Sequence, residues 1–153
     1  MNGMVKRGSA YFLSLCIITA VYVYILNIPE FISQAPGLVT EYYYDRALES
    51  FVLDIFLVAA YISVSMYVGK LLKINQKDNV QQLIMLCLTT IAISGSFMLY
   101  FNSGGSPGTF FSRWFNQVGY KAVVYDVVLI CSVYVLTMVL YKSIIFERIM
   151  NSM

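Results

Sequence analysis

The stretch AVVYDVVLICSVYVLTMVLY, residues 122–141, decides the fold. It carries one charged residue, Asp126, and apolar side chains fall nearly all round a helix drawn through it. About 20 such residues cross the hydrocarbon core of a bilayer. The helix of a soluble protein would instead show an apolar stripe backed by polar residues. Working outward, three further blocks read the same way, at about 8–28, 47–72 and 83–101. Over the 153 residues, 59% are hydrophobic and 12% charged, with a mean hydropathy of +0.73. Soluble domains lie near about 25% charged and about 45–50% apolar. The expectation is an all-α, polytopic membrane protein: one four-transmembrane-helix bundle over 1–153, with almost no soluble domain of its own.

The first block has Lys6 and Arg7 ahead of it but is longer than the usual signal-peptide core, so it reads as a signal anchor. The chain begins Met-Asn-Gly and ends Asn-Ser-Met, which matches no lipidation motif. Cys16, Cys87 and Cys131 sit singly in three different apolar blocks with no C-x-x-C, so they read as small hydrophobes. The sequence has no histidine. That removes His-ligated haem, the common zinc sites and His-based acid–base catalysis.

Four spans bring both termini to one side. Seven of the ten basic residues fall there: Lys6, Arg7, Lys70, Lys73, Lys77, Lys142 and Arg148. Only Arg46, Arg113 and Lys121 fall on the other. The positive-inside rule then predicts cytoplasmic termini. The opposite, outer side carries the longer connections. In the first, Pro36-Gly37 signals a turn. Helix is expected to restart near Thr40, where Glu41, Asp45 and Glu49 suit the positive end of a helix dipole. Tyr42, Tyr43 and Tyr44 would then form part of an aromatic belt at headgroup level. The second outer connection opens with NSGGSPG (102–108), rich in turn formers. It continues with TFFSRWF (109–115), which predicts a short helix lying in the interface between the third and fourth spans. The acidic first loop and basic-aromatic second loop are suited to pack on each other.

Ionisable groups inside a membrane are costly and are functional suspects. Asp54 and Asp126 qualify, and both fall one to two turns below the outer ends of their helices. On the second span Ser50, Asp54, Tyr61 and Ser65 share one face, with Arg46 nearly above it. The third span brings Ser94, Gly95 and Ser96 to the same depth, and Tyr125 precedes Asp126. The prediction is a polar layer of Ser50, Tyr61, Ser65, Ser94, Ser96 and Tyr125 around the two acids. Ala92 and Ser96 around Gly95 also form a small-residue face suited to close helix approach. Arg46, Arg113 and Lys121 are the cations on that side that could neutralise the acids. Arg113 is the preferred partner, because its planar fork can bridge two carboxylates and Lys121 lies on a different face from Asp126. Alternatively, an acid keeps its proton.

No Walker loop, G-x-S-x-G or H-E-x-x-H motif occurs, so no catalytic residue and no cofactor are expected. A net charge of +2 offers no nucleic-acid-binding patch. The segments ILNIPEF (25–31) and FFSRWFNQVGYKAVVYD (110–126) resemble uncharacterised small membrane proteins of large (giant) DNA viruses. That resemblance implies residence in a virion inner membrane or a host assembly membrane, and implies no reaction. The leading expectation is a non-enzymatic structural or assembly component. Its partners would be the lipid bilayer, further copies of itself, or other membrane or virion proteins. The alternative is a small proton- or ion-coupled transporter or channel using Asp54 and Asp126, with Arg113 as a gate. A four-helix carrier of this kind would need two copies to enclose a path.

Overall fold

In a computed structural model of the chain, residues 3–75 and 78–143 are described, and all the regular structure among them is helical. Helix α1 (Gly3–Thr19) continues as a π-helical segment, Ala20–Ile25. Two short helices follow, α2 (Ile28–Ser33) and α3 (Pro36–Thr40), the latter running into a second π segment, Glu41–Asp45. Then come α4 (Ala47–Leu71), α5 (Asn79–Asn102), α6 (Phe110–Val118) and α7 (Tyr120–Lys142). Four helices are long and apolar enough to cross a membrane: Gly3–Ile25, Ala47–Leu71, Asn79–Asn102 and Tyr120–Lys142.

The first span starts and stops earlier than the hydrophobic block suggested. Asn27 adopts a left-handed backbone (φ 50°) ahead of Pro29, so the helix ends before residue 28. Helix α5 starts with the side chain of Asp78 accepting from the backbone N–H groups of Val80 and Gln81, at 2.9 and 3.2 Å. Thr109 caps α6 in the same way through Ser112. Gly119 separates α6 from α7 at φ 62°, ψ −136°, a conformation open to glycine and strained for other residues.

Helix α7 lies at the centre, packed along α1 and α5, while α4 packs mainly on α5. The bundle has a near end, where α1 begins and α7 finishes, and an opposite far end. At the far end α2, α3 and α6 fold back over the spans. They build a core from Val23, Leu38, Val39, Tyr43, Trp114, Phe115, Val118 and Tyr125. A second core of Leu15, Val58, Leu86, Ile130 and Val133 fills the bundle further toward the near end. At the near end itself, Lys6 and Arg7 stand over the ring of Tyr141 at 5.1 and 5.3 Å.

The outward faces are apolar: Leu48, Phe56, Leu88 and Leu99 are each more than half exposed. An apolar surface this extensive fits a hydrocarbon surround and not water.

Helix α6 departs from the expected interfacial arrangement. It forms where expected, yet Trp114 and Phe115 are buried in the protein core instead of facing lipid. Its apolar side is covered by α5 and α7.

Candidate functional site

Helix α4 turns Ser50, Asp54, Val58, Tyr61, Ser65 and Gly69 inward, a spacing of three or four that defines one buried face. The polar stripe expected from the sequence therefore points into the bundle, as the cost of polar groups in lipid requires. On α5 the matching inward residue is Ser94, fully buried. On α7 they are Tyr125 and Asp126, one turn above the apolar residues Leu129 and Ile130.

Hydrogen bonds join these residues across the spans. The Ser94 hydroxyl donates to Asp126. Its single hydrogen is thereby used, so its oxygen accepts from Tyr61 at 2.9 Å. Tyr61, Ser94 and Asp126 thus form one chain linking α4, α5 and α7. Asp54 accepts from the hydroxyl of Tyr42 at 2.7 Å, and the hydroxyls of Tyr43 and Tyr125 meet at 2.6 Å.

Two of the three tyrosines assigned to an aromatic belt are therefore inward residues. The π turn at 41–45 points Tyr42 and Tyr43 into the bundle, leaving Tyr44 outside against Tyr24. Burial, reinforced by the charge of Asp54, pushes the Tyr42 hydroxyl well above the ordinary tyrosine range. Burial does the same to Tyr43, helped by Tyr125. Both stay protonated and available as donors at any physiological pH.

The expected neutralising cations are placed elsewhere. Arg113 makes a two-pronged ion pair with Glu41, at 2.5 and 2.7 Å, and reaches neither Asp54 nor Asp126. That bond is the main reason Glu41 lies below, and Arg113 above, its usual range. Arg46 lies at the break between the 41–45 segment and α4, where it turns outward to Glu49. Lys121 donates to the side chain of Gln34. Ser96 also leaves the predicted layer. It is exposed and donates to the carbonyl of Ala92 on its own helix, and no atom of another element lies close to Gly95. The small-residue face of α5 therefore points to lipid, away from any helix.

Both acids border a cavity of about 150 Å³ in the far half. Its walls come from α4, α5 and α7, with the 41–45 segment and α6 closing the far side. Ten aromatic side chains line it, among them Tyr61, Phe97, Phe101, Phe110, Trp114 and Tyr125, and no basic residue does. Asp54 also borders a second cavity of about 200 Å³, shared with Cys16, Thr19, Tyr24 and Phe51. Asp54 thus borders two spaces.

Below the acids, the bundle interior carries two buried polar atoms with no hydrogen-bond partner among the described residues: Thr90 Oγ1 and Gln82 Nε2. Thr90, four residues from Ser94, shares its face of α5, while Gln82, twelve residues away, lies about 120° round the helix. Thr90 lies about 6 Å and Gln82 about 18 Å nearer the near end, at about 1.5 Å of rise per residue. Leu86 and Val133, both essentially unexposed, belong to the apolar core on that side.

Sequence reasoning missed the cavity's aromatic walls and the role of Tyr42. The signal was present in the 110, 111, 114, 115, 118 spacing of α6, which is that of a helix packed on protein. It also missed that the Cys87 and Cys131 sulfurs meet at 3.3 Å. No spacing rule connects two cysteines on different spans.

Comparisons with protein-family models, curated proteins and solved structures give no match for this chain. The class defined by fold and site is a four-span helical membrane protein with two acids bordering an aromatic cavity.

Proposed function

We propose that the protein is a small cation- or proton-coupled membrane transporter with Asp54 and Asp126 as its ion site. The observation that carries this reading is the pairing of two facts. Both acids open onto one cavity, and each described basic residue of the far end is engaged with another partner. A buried carboxylate with no protein cation costs several kcal/mol, so its charge must be met by a proton or a cation from outside. Two such groups on one cavity can exchange the one for the other. The work of the site is binding and exchange, without covalent chemistry.

Arg113 takes a different part from that of an acid's partner. Its pair with Glu41 clips α6 to the 41–45 segment over the cavity, so breaking the pair would loosen the cover. Thr90 supplies a polar station toward the near end, with Leu86 and Val133 in the apolar core on that side. The positive-inside count supports a cytoplasmic near end. The resemblance to giant-virus membrane proteins would set the chain in a virion or assembly membrane. A transport cycle would use a second copy to complete the path.

A structural or assembly role is the second reading. It is favoured by the bonds Tyr42–Asp54 and Ser94–Asp126, which give each acid a partner that can fix helix register.

The test is reconstitution in liposomes with proton and monovalent-cation flux followed by dyes. The transporter reading expects flux that Asp54→Asn and Asp126→Asn each abolish. Flux that both variants leave unchanged, or no flux under either gradient, would favour the second reading.

A further inference from the structure

The chemistry of the cavity narrows the cation that it could take. Calcium takes six to eight oxygen ligands, and magnesium demands near-octahedral geometry with retained water. The cavity offers two carboxyl groups, and its hydroxyls at Tyr42, Tyr43, Tyr61 and Tyr125 are already hydrogen-bonded. Among the described residues no group of three or more metal-ligating side chains occurs. The rest of the wall is aromatic ring and the aliphatic side chains of Leu57, Val58, Leu129 and Ile130, which hold water poorly, and aromatic rings attract cations through the negative face of their π system.

Phe110 stacks on Trp114 with centroids 6.0 Å apart and on Tyr42 at 4.8 Å, Phe101 stacks on Phe115 at 5.6 Å, and all five side chains border the cavity. One water needs about 10–15 Å³ of such space, so the volume suits a body of on the order of ten non-hydrogen atoms. The basic group nearest the walls is Arg113, 5.9 Å from the Phe110 ring, and Glu41 neutralises it.

We propose that the cavity is a site for a small organic cation, a quaternary or substituted ammonium with an apolar body. Its charge would lie against Asp54 and Asp126 and its body against Phe101, Phe110 and Trp114. This inference rests on the proposed cation-binding role and adds the class of ligand.

Trp114 is the chain's single tryptophan and borders the cavity, so its fluorescence reports occupancy directly. The purified full chain in nanodiscs is titrated with benzyltrimethylammonium, with its uncharged isostere neopentylbenzene, and with sodium. The expected result is a saturable response to the ammonium and one at least about tenfold weaker to neopentylbenzene. Asp54→Asn or Asp126→Asn should remove the preference for charge. Phe110→Leu, which leaves both acids in place, should weaken ammonium binding by up to about tenfold.

Equal responses to the charged and neutral probes would overturn the inference, because the site would then be merely apolar. An acid-dependent response to sodium or to pH, with none to the ammonium, would overturn the organic-cation inference while leaving the cation-binding role intact. Silence toward every probe and across pH would overturn both.

Discussion

The packing of α5 on α7 can be tested through its two thiols. Cys87 and Cys131 approach to 3.3 Å between sulfurs, and closing a disulfide requires about 2.05 Å, so a movement of a little over 1 Å suffices. Copper–phenanthroline should therefore oxidise this pair in nanodiscs and leave Cys16 free. The 44-residue separation sets the size of the effect. Chain-entropy arithmetic for a closed loop of that length gives about 4 kcal/mol, an upper value because helices within the loop persist in the unfolded membrane state. The assay counts thiols by maleimide–polyethylene glycol gel shift. Reduced protein should take three adducts and oxidised protein one, and the oxidised form should unfold at higher SDS. Cys87→Ala should abolish both changes. Three adducts after complete oxidation would refute the placement, because turning α5 by one residue rotates the thiol by about 100° off the interface.

Three further outcomes follow from named contacts. Ser94→Ala leaves Tyr61 and Asp126 each without a partner and should destabilise the bundle by about 1–3 kcal/mol in SDS unfolding, with Tyr61→Phe adding less than its separate cost. Additive costs would mean that the three-residue chain does not exist. The Glu41–Arg113 pair holds the Glu41 pKa below its usual value. Its stabilisation is thus present above the ordinary glutamate range and lost as pH falls through the depressed value. The stability gap between wild type and Glu41→Gln should accordingly close only in acid, and a gap independent of pH would contradict the pair. Gly119→Ala forces a side chain into φ 62°, ψ −136° and should cost about 1–3 kcal/mol, misplacing α6 and shifting Trp114 emission. An unchanged spectrum and stability would show that the turn tolerates other backbone shapes.

The four spans were legible because lipid imposes a length and a composition that survive in the sequence regardless of neighbours. The inward face of α4 was legible for a related reason: Ser50, Asp54, Tyr61 and Ser65 recur at helical spacing, and a polar stripe cannot face hydrocarbon. The far end was not. Tyr42-Tyr43-Tyr44 reads as a belt when the chain is taken as a regular helix, yet a π turn at 41–45 redirects two of the three rings inward. Arg113 was assigned to the acids because its planar fork can bridge two carboxylates, with the placement of α6 unknown. The geometry of α6 instead sets its guanidinium beside Glu41, a partner exposed enough to need little desolvation. Ser96 failed for a rotational reason, since two residues along α5 from buried Ser94 is about 200° around the helix. Pairings between spans, such as Ser94 with Asp126 or Cys87 with Cys131, depend on rotation and depth that composition does not encode.

The most direct measurement of the proposed exchange is proton release on cation binding. Wild-type protein in weakly buffered nanodiscs is mixed with benzyltrimethylammonium or sodium, and a pH dye records the protons set free. The proposal predicts a saturable release that Asp54→Asn and Asp126→Asn each reduce and the double variant abolishes. Release unaffected by the double variant, or a cation bound at the cavity with no proton displaced, would contradict it.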